Sequence, residues 1–188
     1  MASTADFRNG LTIQIDGTLY TITYFQHVKP GKGGAFVRTK LKNVLTGAVV
    51  EKTFRAGEKV DEVRLERRAV QYSYADGDLH YFMDQQTYEM IPLSAKMIGE
   101  DQLQYLKENM ECEGLVHGDT IISVELPNFV ELKIVDTDPG VRGDTATGGT
   151  KPAKLETGAV VQVPLFLEEG EVIRVDRRES KYIERVNR

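Results

Sequence analysis

The chain of 188 residues contains no tryptophan and a single cysteine, Cys112. One thiol excludes an internal disulfide framework and fits a reducing compartment. No apolar run approaches the roughly 20 residues that a membrane helix needs, so no membrane association is expected. Residues 1–6 lack a basic segment leading into an apolar one, so no secretory signal is expected there and the reading is cytoplasmic. Catalytic patterns are missing too. His27, His80 and His117 stand at spacings that suit no metal site with one another, with Cys112 or with a carboxylate. There is no phosphate-binding glycine loop, dinucleotide fingerprint or nucleophile elbow, and the glycines of 143–149 adjoin no expected helix. Neither an enzyme nor a cofactor is expected.

One further absence is local. No carboxylate falls within 17–50, an interval that holds Lys29, Lys32, Arg38, Lys40 and Lys42. The overall net charge of −5 argues against a polyanionic partner, but its distribution argues otherwise. Residues 1–63 carry nine Lys/Arg against six Asp/Glu, 64–127 carry five against twelve, and 128–188 carry ten against eleven. Screening confines exposed charges to about 8–10 Å, so the local field decides where an anion docks. A positive first segment beside an acidic middle one is compatible with binding RNA at one end only. Composition is otherwise that of an ordinary globular protein, with 28% charged and 40% hydrophobic residues.

What is present is mostly β pattern. Residues 12–15 alternate and end in Asp16-Gly17, a hairpin signal, and 19–28 is rich in Tyr, Thr and Ile. Strand-like runs at 35–44 and 49–55, separated by turn residues, complete a small barrel over about 60 residues. The charge-dense stretch 60–68 reads as a linker. A hairpin is expected from 71–74 and 79–83 around Ala75-Asp76-Gly77-Asp78, a helix over 99–110 from Leu103, Leu106 and Met110, and a strand at 121–126. That order fits an OB-like barrel. After a boundary at Pro127-Asn128, strands are expected at 130–135, 159–163, 172–175 and 182–186, with a long loop over 137–157. The run Thr46-Gly47-Ala48-Val49-Val50 recurs as Thr157-Gly158-Ala159-Val160-Val161, which reads as one turn-into-strand device used twice. The expected domains are 1–63, 64–127 and 128–188, each a small barrel with a thin core.

The stretch Lys29-Pro30-Gly31-Lys32-Gly33-Gly34 joins two of these strands. Pro30 presets a turn, and the glycines let the chain reverse, pushing Lys32 into solvent with little bulk around it. In the returning strand Ala35, Val37, Thr39 and Leu41 share an apolar face, and Phe36, Arg38, Lys40 and Lys42 share the opposite, positive one. Such a face suits a polyanion. His27 reads as a hairpin packing residue. Tyr72, Tyr74, Tyr81 and Phe82 could offer a base-stacking platform, but the acidic surroundings favour a barrel core for them.

These residues carry a resemblance. The run 25–43, centred on Lys29-Pro30-Gly31-Lys32-Gly33, resembles the first-domain hairpin of bacterial translation elongation factor P. Val141-Arg142-Gly143-Asp144-Thr145 and the block 151–164 resemble that family's third domain, and Phe82-Met83-Asp84 with Thr87-Tyr88-Glu89 its middle one. The resemblance implies an SH3-like or KOW-like barrel followed by two OB barrels, arranged like a tRNA, in a monomer that enters the ribosome between the P and E sites. It implies that the Lys32 tip reaches toward the end of the P-site tRNA and relieves stalling at consecutive prolines. The tip lysine is modified in many members, and archaeal and eukaryotic relatives, the initiation factor 5A group, carry hypusine there. A lysine-modifying enzyme is therefore an expected partner, and the adduct's identity is open. A lysine tip excludes the arginine-rhamnosylating branch. Lys29, Gly31, Gly33, Arg38, Lys40 and Lys42 become expected RNA contacts. Gly143, Asp144 and Thr145 match the loop that approaches mRNA near the E site, and Tyr182 and Arg185 match a C-terminal pair near the tRNA. Glu179-Ser180-Lys181 departs from the small-residue turn that usually precedes that pair. Two other readings stay open: a lipoyl- or biotinyl-type carrier domain, and a stand-alone binder of single-stranded RNA, which would need aromatics interleaved with the positive face.

Overall fold

The computed structural model describes residues 1–140 and 149–186, and it is mostly β, with its strands in three curled sheets. Two compact units are formed, one by Met1–Arg67 with Leu115–Ile122 and one by Arg68–Gly114 with Ser123–Arg188. Among the described residues no helix is long and apolar enough to cross a membrane.

The first sheet contains β1 (Ala2–Ser3), β2 (Thr12–Ile15), β3 (Thr18–Val28), β4 (Phe36–Asn43), β5 (Val49–Arg55) and β6 (Lys59–Glu62) in the order β1-β6-β2-β3-β4-β5. Asp16 and Gly17, at φ of 49° and 80°, make the tight turn between β2 and β3 that their sequence announces. In β4 the expected alternation is present: Val37, Thr39 and Leu41 are buried, while Arg38, Lys40 and Lys42 are exposed. The inward side chains join Ile13, Ile22, Phe54 and Val60 in one core, where Phe7 meets Phe54 edge to face at 5.2 Å. The expected linker at 60–68 is instead largely strand. In β6 only Val60 points inward, paired with Ala2, while Lys59, Asp61 and Glu62 stay exposed, so a strand with one apolar residue reads as a charge run.

The second sheet contains β7 (Leu65–Asp76), β8 (Leu79–Asp84), β9 (Met90–Ser94), β10 (Glu111–His117) and β11 (Thr120–Glu125) in the order β11-β10-β7-β8-β9. The β7–β8 hairpin forms where expected. Strand β9 carries Pro92, which demotes a strand in sequence, yet β9 lies at the sheet edge, where a missing N–H costs no ladder bond. Of the helix expected over 99–110 only one turn forms, α2 (Glu100–Leu103), and another one-turn helix, α1 (Ala95–Ile98), lies before it. Gly99, at φ 92°, breaks the backbone between them. Gln102 then ties the turn down: its amide donates to Ile98 O and Val124 O at 2.8 and 2.9 Å, and its oxygen accepts from Leu126 N. The buried side chain of this stretch is Tyr105, not the Leu103, Leu106 and Met110 stripe. Phe82 is buried with Val70 and Leu93, as a core residue should be. Tyr74 is not: it is exposed and stacks on Tyr81 at 4.7 Å on the sheet's other face, while Tyr72 is half-buried beside Phe82. Burial pushes the thiol of the lone Cys112 up to about 12, with Arg177 pulling it the other way, so it is not a reactive thiolate.

The third sheet contains β12 (Phe129–Thr137), β13 (Thr150–Leu155), β14 (Val160–Pro164), β15 (Val172–Asp176) and β16 (Lys181–Arg185) in the order β14-β13-β12-β15-β16. Strand β13 lies inside what reads as a loop at 137–157. Its Pro152 sits beyond the last residue paired with β12, and Thr137 Oγ1 donates to its carbonyl at 2.9 Å. The repeated pentapeptide turns the chain into a strand both times, with its glycine at positive φ, but the two loops differ in length by one residue. Gly47 and Gly158, at φ of 77° and 97°, donate back to Asn43 O and Leu155 O in the turns that open β5 and β14.

Most of the second sheet shares the second unit with the third, and within that unit polar contacts join them. Arg177, only 8% exposed, donates through Nε and Nη2 to Leu126 O at 3.2 and 2.7 Å, and through Nε to Pro127 O at 2.8 Å. The Tyr105 hydroxyl donates to Ser180 Oγ at 2.7 Å, and Lys107 pairs with Glu156 at 2.9 Å. Ser180 has φ 53°, so it takes the backbone role that a small residue would fill in the departing turn, and its hydroxyl gains a partner.

Candidate nucleic-acid interface

Strands β3 and β4 form an arm joined at its tip by residues 29–35. The eleven residues of β3, at about 3.3 Å each, extend roughly 36 Å. Lys29, Pro30, Gly31, Lys32, Gly33 and Gly34 are all exposed. Space is open where side chains on Gly31, Gly33 and Gly34 would stand, and Gly33 has φ 101°. The Lys32 amine therefore leaves the protein unobstructed at the end of a long hairpin.

The register of the arm decides what its positive face holds. Val28 pairs with Phe36, Gln26 with Arg38, and Tyr24 with Lys40, after which the register shifts so that Ile22 pairs with Leu41. Thr23 is the extra residue, and its Oγ1 donates to Lys40 O at 3.2 Å. Simple alternation from buried Ile22 would send Tyr24 inward. The bulge reverses that, as bulges do, and places Tyr24 on the outer face with Arg38 and Lys40. Lys40 Nζ lies 5.7 Å from the centre of the Tyr24 ring, and the Arg38 guanidinium lies 5.4 Å from that of Phe36. Sequence periodicity finds Phe36 on this face and misses Tyr24. It also misses the third strand, where Thr53 stands opposite Arg38, Arg55 opposite Phe36, and the carboxylate of Glu51 opposite Lys40. Among the described residues Arg38, Lys40 and Lys42 make no ion pair. His27, paired with Val37 near the tip, is exposed and meets Phe25 edge-on at 5.8 Å.

The other expected site residues lie in the second unit. Tyr182 and Arg185 are three apart, a spacing that puts strand residues on opposite faces. A register shift corrects this: Tyr182 pairs with Val175, and Arg185 with Ile173, so both share a face. Burial raises the Tyr182 phenol above its ordinary value, and the nearby Arg185 charge opposes that. Arg185 is engaged within the chain, donating to Glu171 Oε1 at 3.1 Å and lying 5.7 Å from the Phe166 ring centre. On the opposite face Arg174 bridges Glu131 and Glu184 across three strands. Gly143, Asp144 and Thr145 lie outside the described residues. The structure thus gathers Lys29 to Lys42 on one arm and Tyr182 with Arg185 on one strand.

Comparison with known proteins agrees with this architecture over nearly the whole chain. Residues 3–60 match the KOW-like domain of elongation factor P, 65–124 its OB domain, and 130–185 its C-terminal domain. Elongation factor P of Moorella thermoacetica is 60% identical over 185 residues, covering 98% of this chain and all of the relative. That of Carboxydothermus hydrogenoformans is 58% identical over 186 residues, covering 99% of this chain and all of the relative. Among solved structures, the translation initiation factor 5A from Methanococcus jannaschii superposes with a TM-score of 0.53 at 26% identity, over 67% of this chain and 90% of its own. A family protein of the same initiation factor from Naegleria fowleri, at 14% identity and a TM-score of 0.54 over 66% of this chain and 96% of its own, shares the fold. By its three matched domains and its end-to-end relatives, the chain belongs to the elongation factor P family of translation factors.

Proposed function

We propose that the chain binds the ribosome between the P and E sites and promotes peptide-bond formation where consecutive prolines stall synthesis. The observation that carries this reading is the arm: one unobstructed lysine at the end of a long hairpin whose outer face is positive. Arg38, Lys40 and Lys42 contact phosphates, which fixes orientation without reading sequence. Lys32 reaches the end of the P-site peptidyl-tRNA. An unmodified lysine extends only about 6 Å beyond its Cα and loses much entropy on being fixed, so a covalent extension of its amine, added by a separate enzyme, completes the reach. Proline is a rigid, poor reactant, and holding the tRNA end in a reactive pose removes an entropic part of the barrier. The ribosome carries out the chemistry, so the chain is not itself an enzyme; it acts as a cytoplasmic monomer without a cofactor. Gly143, Asp144 and Thr145 approach mRNA near the E site, and Tyr182 and Arg185 lie near the tRNA. Of these two, Tyr182 makes the freer contact, because Arg185 is already paired with Glu171.

The test is a reconstituted translation reaction with protein purified from its native host. Peptide-bond formation on a message with three consecutive prolines should accelerate, and a message without them should be unaffected. Equal rates with and without the protein on the proline message would contradict the reading.

A further inference from the structure

We propose that Tyr24 is a stacking residue: the outer face of the β3–β4 arm receives an unpaired RNA base on the Tyr24 ring, while Lys40 and Arg38 hold neighbouring phosphates. This rests on the reading of the arm as RNA-facing and gives that contact its chemistry. Phosphate steering alone requires only cations on a surface. This face has more. Two aromatic rings alternate with two cations across two strands, Phe36 with Arg38 and Tyr24 with Lys40, in the mixture that proteins use to grip single-stranded nucleic acid. The Tyr24 ring is large, apolar and 46% exposed, on a strand long enough to have turned it inward. It faces out because of the bulge at Thr23. Gln26 stands beside it, its Oε1 accepting from the Tyr24 hydroxyl at 3.4 Å, and brings an amide able to meet a base edge. The carboxylate nearest in register is Glu51, one strand beyond Lys40, and none lies on β3 or β4. The competing explanation is that the ring only braces the Lys40 stem.

Affinity and its salt dependence separate the two. The full-length protein and its variants are titrated onto ribosomes carrying peptidyl-tRNA in the P site, paused at a proline run, from about 50 to 200 mM salt. Stacking involves no counterion release, whereas each lost phosphate contact makes the log–log salt slope shallower by about 0.7–0.9. Tyr24→Leu should therefore weaken binding roughly tenfold at every salt concentration with an unchanged slope. Tyr24→Phe should bind like the parent chain, and Tyr24→Trp at least as tightly. Lys40→Gln should weaken binding and flatten the slope. Thermal unfolding of each variant confirms that this exposed position leaves the fold intact. If Tyr24→Leu flattens the slope as Lys40→Gln does, the ring serves the lysine and the proposal is wrong; if Tyr24→Leu binds like the parent, it is equally wrong. A parent chain that fails to bind the ribosome at all overturns the ribosomal reading itself, an outcome no Tyr24 variant can mimic.

Discussion

Replacing Asp84 by asparagine should destabilise the chain in a way that disappears in acid. Asp84 is 1% exposed and ends β8. Its Oδ1 accepts from the amides of Gln86 and Thr87 at 2.8 and 3.2 Å, and its Oδ2 accepts from Arg68 Nη1 at 3.2 Å. The Asp84 amide donates to Glu89 O, and its carbonyl accepts from Tyr88, which has φ 61°. The turn from β8 to β9 is therefore wrapped around one carboxylate. The Gln86 amide, aided by Thr87 and Arg68 and opposed by burial, holds that carboxyl below its usual range. Asparagine keeps an oxygen for the two amides but turns an NH2 toward Arg68 and removes the charge. A hydrogen bond to a charged group is worth about 1.5–3 kcal/mol, so Asp84→Asn should cost about 2–3 kcal/mol at pH 7. For a chain of this length that lowers Tm by roughly 4–12 °C. Because the folded-state pKa is depressed, the stabilisation is complete above the unfolded value near 3.9 and is lost as pH falls through the folded value. Thermal unfolding followed by circular dichroism should show a constant gap between the two proteins from pH 7 to 5 that closes below about pH 4. A gap of equal size at pH 7 and pH 2 would refute the electrostatic argument, and no gap at pH 7 would refute it outright.

Two further predictions concern the arm and the joint of the second unit. Substituting Arg38, Lys40 and Lys42 together by glutamine should make the salt slope of ribosome binding shallower by about 2–3, since each phosphate contact contributes about 0.7–0.9; an unchanged slope would show that the face is merely solvated. Arg177→Met should cost about 3 kcal/mol in urea unfolding, because it strands the Leu126 and Pro127 carbonyls that the guanidinium now satisfies, and a change near zero would mean that water replaces it.

The arm was legible in sequence because two strong local signals agree there: clean alternation over 35–42 and a proline–glycine turn with one lysine at its centre. What stayed hidden depends on partners in space. Three register shifts, at Thr23, Ser73 and Ile183, each reverse the face of the residues that follow. They put Tyr24 beside Lys40, Tyr74 on Tyr81 outside the core, and Tyr182 with Arg185 on one face. Periodicity counted along one strand cannot show this, because a bulge is defined by the strand opposite. Strands β9 and β13 were obscured by Pro92 and Pro152, which are tolerated where the ladder needs no donor, and β6 by its charged outer face. The helix at 99–110 failed for a different reason. Its apolar spacing was real, but the helix stops after Leu103, where the Gln102 side chain anchors the turn to Ile98 O and Val124 O, and Asn109 takes a φ of 68° that no helix continues through.

The central claim is that Lys32 acts on the peptidyl-transferase reaction and contributes little to the fold. The most direct measurement is the rate of peptide-bond formation at a proline run with Lys32→Ala protein in the reconstituted system, beside the parent chain purified from its native host. An exposed tip residue contributes little to stability, so Tm should be unchanged within about 0.5 kcal/mol of stability. The rate enhancement should be lost even at saturating protein. Lys32→Arg should fail as well, since it keeps the charge but cannot carry an amine adduct, and the parent tip peptide should be heavier than its sequence mass. Full enhancement by folded Lys32→Ala protein would contradict the account.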